Sequence, residues 1–229
     1  LRFDPTNVVA TIGVAKSLAE LEGTQRGIDY ISVAMRTSTR KAELMNGTGE
    51  IFVRKGDYPN ALKAVDQALA YDSELALPYK TRGDAYAGLD KYKEALDAYL
   101  TYTNLAPLDP TGHSERYRIF LKKLDLKAAK ESIEKVIAMY PRYPGAYNLL
   151  GELFLEAQNF TSAGEAAKQE MHFNPMYLPA YVLAGKVFIL KRDFSGAIDV
   201  LNRALKLDPN FVPALIQAGD ANRLLRTYG

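Results

Sequence analysis

The sequence predicts an all-α protein built by stacking helical hairpins, and three observations carry that prediction. One spacing of 34 residues runs through the chain, apolar residues inside each period recur at helical intervals, and prolines or other helix-stopping residues close the periods. Aligned on Gly185, steps of 34 lead back to Gly151, Tyr117, Gly83, Gly49 and Ala15 and forward to Gly219. The same steps carry Ala197 back to Ala163, Ala129, Ala95, Ala61 and Gly27. They carry Pro209 back to Pro175, Pro141, Pro107, Ser73, Thr39 and Pro5, with no insertion or deletion.

The first half of each period reads as one amphipathic helix, as in Tyr181, Ala184, Phe188 and Ile189. A short polar turn follows, Lys55-Gly56-Asp57 or Lys191-Arg192-Asp193, of the length that joins antiparallel neighbours. The second half opens on an aromatic or leucine at a matching place (Tyr58, Tyr92, Leu126, Phe160, Phe194) and continues as a second amphipathic run, such as Ala197, Ile198, Leu201, Ala204 and Leu205. Asn174-Pro175 and Asp208-Pro209 end that helix, because proline cannot donate the helical hydrogen bond and restrains the residue before it. Helices of about 13 residues are marginal alone in water, so burial against neighbours must hold them. The glycines at 49, 83, 151, 185 and 219 are expected where two helices of a hairpin approach closely, offsetting a helix penalty of roughly 1 kcal/mol each.

This layout resembles the tetratricopeptide repeat family, with its small residue in the first helix, alanine in the second and closing proline. The resemblance implies a right-handed α-α superhelix of six full repeats, 8–41, 42–75, 76–109, 110–143, 144–177 and 178–211. Residues 1–7 read as the tail of a preceding repeat and 212–229 as the first helix of a following one, so a longer protein is expected around this single array. Three repeats depart from the pattern. Repeat 4 has Tyr117 at the small position and Arg116 just before it, for which a shifted or splayed helix pair is expected, with a hinge or binding hot spot as the alternative. Repeat 5 puts Glu170 where alanine is expected and Gly164 near the middle of its second helix, so either the glutamate reaches solvent or that turn frays. Repeat 1 carries Thr11, Gly27 and Thr39 at marker places, and its boundaries are the least defined.

Composition narrows the function classes. Of 229 residues, 48% are hydrophobic and 24% charged, a folded profile, and no uninterrupted apolar run nears the roughly 18 residues a membrane span needs. The absence of cysteine excludes disulfides, thiolate metal sites and a cysteine nucleophile. With 29 basic and 27 acidic residues the net charge is +2, too near balance for a chain whose main work is neutralising nucleic-acid phosphates. No glycine sits in a phosphate-cradling motif, so no nucleotide or other cofactor is expected. His113 and His172 share no metal-ligand spacing; His113 takes a packing position and His172 a helix end, where its charge complements the dipole. Phe194-Ser195-Gly196 lacks a nucleophile-elbow context, and a non-enzymatic role is expected.

The resemblance implies that first helices of successive repeats line a concave groove holding a segment of a partner protein. Carried over by position, it points to Asn46, Glu50 and Arg54; to Lys80, Asp84 and Ala87; and to Ser114, Arg118, Leu121 and Lys122. It continues with Asn148, Glu152, Leu155 and Glu156, then Val182, Lys186 and Ile189, and Ile216, Asp220 and Arg223. Repeat 4 holds eight basic and four acidic residues, and Lys80, Arg118 and Lys122 would form a basic spot for an acidic partner group; pairing with Asp84 and Glu152 is the alternative. Chaperone-binding members carry lysine followed four residues later by asparagine, whereas the pairs here are Ile12/Lys16, Asn46/Glu50 and Lys80/Asp84, so chaperone tails are not the expected partner. The expected function is a protein-interaction scaffold. Its rivals are the targeting arm of a larger enzyme, an assembly factor of envelope or polysaccharide machinery using Tyr79 and Tyr86, and self-association through exposed array ends.

Overall fold

The computed structural model describes residues 7–228; apart from Asn7, the expected tail of a preceding repeat, with Pro5, lies outside the described residues. Thirteen α-helices and no strands occur among the described residues. The chain divides into two compact units, residues 1–119 and 120–229.

The first unit holds α1 (Val8–Leu21), α2 (Thr24–Met35), α3 (Lys41–Arg54), α4 (Tyr58–Tyr71), α5 (Ala76–Gly88), α6 (Tyr92–Leu105) and most of α7 (Thr111–Lys122). The second holds α8 (Leu126–Met139), α9 (Ala146–Glu156), α10 (Phe160–Phe173), α11 (Leu178–Leu190), α12 (Phe194–Leu207) and α13 (Val212–Tyr228). Every second helix from α4 to α12 begins on the aromatic or leucine that marks its place in the sequence, and even in repeat 1 α2 starts at the matching Thr24.

The turn between paired helices is one structure repeated. Gly56, Asp90, Leu124, Gln158 and Arg192, spaced by the period, all take positive φ. The following residue donates its N–H five residues back, Asp57 to Phe52 at 2.9 Å and Asp193 to Phe188 at 2.9 Å, which ends the first helix and satisfies a carbonyl it leaves unpaired. That same residue then caps the second helix: Asp57, Asp125, Asn159 and Asp193 each accept from the backbone N–H three residues on. One turn therefore stops one helix and starts the next.

Burial joins the hairpins. Val8, Ala15, Ile31, Leu44 and Ile51 form a core in the first unit, and Tyr181, Leu183, Leu201, Ala204 and Ala214 one in the second. A Cβ at Gly83 would lie 2.4 Å from the Tyr99 ring and one at Gly185 2.8 Å from Leu201, the close approach the glycine column predicts. At Gly219 a Cβ would meet nothing within 4 Å, so no close approach requires that glycine among the described residues. In repeat 4, α7 is a regular helix with Tyr117 buried, and its close approach to α6 comes earlier, at Gly112, whose Cβ would sit 2.4 Å from Thr103 Oγ1. In each unit the first helices pack on one another, α1 on α3 and α3 on α5, then α9 on α11 and α11 on α13. Within each unit, among the described residues, second helices make no comparable packing with the next second helix, so first helices form the tight side of each stack.

Candidate partner-binding face

The first helices carry a charged column. Positions 16, 50, 84, 118, 152, 186 and 220, one per period, are Lys, Glu, Asp, Arg, Glu, Lys and Asp. Lys16 is absent from the residues the resemblance points to, although stepping by the period from Glu50 would have found it. A charge at this place in every repeat is not needed for packing, which the small residues and alanines supply.

In the first unit the column is consumed internally. Lys16 forms an ion pair with Glu50, whose other carboxylate oxygen accepts from Asn46 Nδ2 at 3.0 Å. Asp84 accepts from Lys80 Nζ at 2.7 Å and from the buried Tyr99 hydroxyl at 2.8 Å. Partial burial works against the Lys80 charge, but the neighbouring Asp84, with Glu115 and Glu50, outweighs it and holds the ammonium above its ordinary range. Burial, then the Asp84 charge, pushes the Tyr99 hydroxyl far up, so it stays a donor. Glu115 is raised by burial, partly offset by Arg118, which it binds at 3.2 Å. Arg54 lies 3.9 Å from Glu20. Lys80 and Arg118 thus have carboxylate partners of their own, while Lys122 belongs to the second unit. Ser114 is buried and donates to the Pro110 carbonyl at 3.2 Å.

In the second unit the column stays open at Glu152 and Lys186. Asn148 Nδ2 donates to Glu152 Oε1 at 2.9 Å, repeating the Asn46–Glu50 geometry three periods on. Glu152, Glu156 and Lys186 are exposed, and Glu152 and Lys186 make no ion pair with any described residue. Asp220 is held by Arg223 at 3.3 Å. Leu155 and Ile189 are partly buried and Val182 is buried, so the apolar share of this face is small; Leu121 is likewise partly covered, and Ile216 is exposed.

Glu170 positions this face. The expectation that it reaches solvent or frays its turn is overturned: it is 0% exposed and α10 runs unbroken to Phe173. Its carboxylate accepts from the N–H groups of Gly145 at 2.8 Å, Tyr147 at 3.0 Å and Asn148 at 3.3 Å, and from Asn174 Nδ2 at 2.7 Å. A carboxylate at a helix N-terminus satisfies the unpaired N–H groups and meets the positive end of the dipole. Gly145, at φ 87°, turns the chain into that clasp where a side chain would be strained and would meet the Tyr177 hydroxyl at 2.7 Å. Burial, then the charges of Glu170 and Glu152, raise that hydroxyl.

Hollows lie elsewhere in the second unit, and two of them are the roomiest described. One, of about 500 Å³, lies between α10 and α12 over α11, with Gly164, Met171, Val187, Phe188 and Val200 among its lining. Gly164 opens it, since a Cβ there would make only an ordinary contact with Val187 at 3.5 Å. The other, of about 540 Å³, is an open depression under Tyr140, Pro141, Tyr143, Pro144 and Phe173. Neither involves a residue assigned to the groove. His113 is buried, and His172 sits edge-on to Phe173 at 5.0 Å. No three potential metal-ligating side chains converge among the described residues, and no helix of theirs is long and apolar enough to cross a membrane.

Models described as tetratricopeptide repeat match residues 46–110 and 118–171, together more than half of the chain, and a further one matches 178–211. No curated protein matches the sequence significantly. Among solved structures, the Cut9–Hcn1 hetero-tetramer of the APC/C is similar at TM-score 0.68 and 17% identity, over 96% of this chain and 43% of that one. Yeast Tom70 is similar at TM-score 0.76 and 16% identity, over 96% of this chain and 47% of that one. YrrB, described as a TPR protein with an unusual peptide-binding site, is similar at TM-score 0.58 and 19% identity, over 81% of this chain and 95% of that one. This chain spans less than half the length of the first two, and likeness at these identities concerns the fold.

Proposed function

Because this chain belongs to the tetratricopeptide repeat family, we propose that it is a non-enzymatic scaffold that binds a segment of a partner protein along the first-helix face, above all in the second unit. The observation that carries the reading is the charged column, which places an ionisable side chain in every first helix and leaves Glu152 and Lys186 exposed without ion-pair partners among the described residues. Glu152, already held by the Asn148 amide within α9, loses little freedom on binding, which favours affinity. The YrrB likeness supports a peptide as the occupant. What a longer polypeptide containing this array would do is a separate proposal, and recruitment of a substrate to an attached domain is compatible with it.

Panning a random peptide library against the protein, followed by amide chemical-shift mapping of a recovered peptide, tests the reading. Shifts clustered at residues 148–156 and 186–189 are expected. Failure to recover any peptide, or shifts confined to the α10–α12 hollow, would refute the first-helix face as the binding surface.

A further inference from the structure

We propose that Asn148 and Glu152 form a receptor for a basic side chain, lysine or arginine, of the bound segment. This deepens the reading above and rests on it. The argument is an internal comparison. Asn46–Glu50 and Asn148–Glu152 occupy the same register of α3 and α9, and their amide-to-carboxylate distances are 3.0 and 2.9 Å. Both asparagines are buried, 2% and 3% exposed. In the first copy the carboxylate oxygen not held by the amide takes the Lys16 ammonium, delivered from α1. In the second copy the equivalent oxygen takes nothing from any described residue. The first unit therefore shows the pair loaded with a primary ammonium, and the second shows the same pair exposed and empty of one.

The buried amides strengthen the comparison. Asn46 Oδ1 and Asn148 Oδ1 are both buried without a hydrogen-bond partner. Reversing either amide would set its oxygen against a carboxylate, so the carboxylate dictates the orientation and the amide oxygen is left unsatisfied. An unsatisfied buried acceptor is a cost that folded proteins ordinarily avoid. Its recurrence at both copies is explained if the amide serves to hold the glutamate in one rotamer. A carboxylate fixed this way has a neutral partner rather than a cation, and presents its second oxygen in the geometry Lys16 uses. Glu170 secures the same arrangement from below by binding the Asn148 N–H. Exposed Glu156 adds negative charge one turn along α9. An acidic group would be repelled here, the opposite of the preference expected around Lys80 and Arg118.

The test uses peptides recovered by panning the whole chain. Their sequences should be enriched in lysine or arginine at one position over the starting library. A synthetic peptide from that set should bind Glu152→Gln roughly tenfold more weakly by fluorescence anisotropy, the loss expected for one charge-assisted hydrogen bond. Replacing its basic residue with norleucine should weaken binding to the unaltered protein and leave binding to Glu152→Gln unchanged. Glu152 is exposed, so circular dichroism of the variant should match the parent. Peptides without basic enrichment, or a norleucine penalty equal on both proteins, would overturn the receptor while leaving peptide binding intact. Recovery of no peptide would overturn both. A Lys186 ammonium hydrogen-bonded to Glu152 in the free protein, seen by lysine side-chain NMR, would also overturn the receptor.

Discussion

The two units place charge at the same register and use it differently. In the first, Lys16, Glu50, Asp84 and Arg118 are matched within the fold, by each other, by Lys80, by Tyr99 or by Glu115. In the second, Glu152 keeps only a neutral amide and Lys186 keeps no ion-pair partner among the described residues. The lesson is that a periodic charge does not announce its role. The sign of the neighbours one period away and the reach of side chains from the same hairpin decide whether it is spent on stability or left for a partner.

The largest effect should come from removing the clasp that supports the open face. Glu170→Leu strands three backbone N–H groups at the start of α9, and we expect a loss of about 3 kcal/mol in urea unfolding of the second unit. Hydrogen exchange at Gly145, Tyr147 and Asn148 should accelerate; unchanged protection there would show that α9 is held by packing alone. In the first unit, Tyr99→Phe deletes a buried donor to Asp84 and should cost about 1 to 2 kcal/mol, read from thermal and urea midpoints. A neutral outcome would mean that Lys80 suffices for Asp84 and that the internal network is looser than its distances indicate.

Acid should act on the first unit through Asp109. Burial raises this carboxyl, but hydrogen bonds from Thr111 and from the Tyr102 hydroxyl, the latter at 2.6 Å, outweigh it, and its folded value lies below the ordinary 3.8. A depressed carboxyl stabilises above its unfolded value, and the contribution fades as pH falls through the folded one. Asp109→Asn should therefore lower the urea midpoint at neutral pH and flatten its decline below about pH 4; parallel profiles for the two proteins would remove Asp109 from the acid response. The smallest stability change is expected from Lys16→Met. Its ion pair with Glu50 is partly exposed, so the loss should stay within about 1 kcal/mol. The variant nevertheless converts the first unit to the open state of the second, and a lysine-bearing peptide that binds at one site should then acquire a second, visible in the stoichiometry by calorimetry.

Much of the fold is legible residue by residue in the sequence. The starts of α4, α6, α8, α10 and α12 fall on Tyr58, Tyr92, Leu126, Phe160 and Phe194 because helix boundaries follow from turn chemistry and apolar periodicity, which are local. Leu124 and Arg192 at positive φ are not recognisable as turn residues by type, yet their place one period from Gly56 identifies them. The candidate face is legible only in outline. Its residues can be assigned to first helices by register, but nothing about Glu170 as a letter distinguishes a frayed, solvated carboxylate from one that caps a helix 25 residues upstream.

Sequence alone determined the helical-hairpin repeat, since a sustained period constrains every copy through the same short-range physics of helix stops, caps and apolar stripes. Tertiary structure decided which charges meet. Lys16 reaching Glu50 across neighbouring helices, Tyr99 reaching Asp84 within a hairpin, and Glu152 retaining an unclaimed oxygen depend on distances of a few ångströms between side chains far apart in the chain. Electrostatic and hydrogen-bonding partners are selected at that scale, which a one-dimensional pattern does not specify.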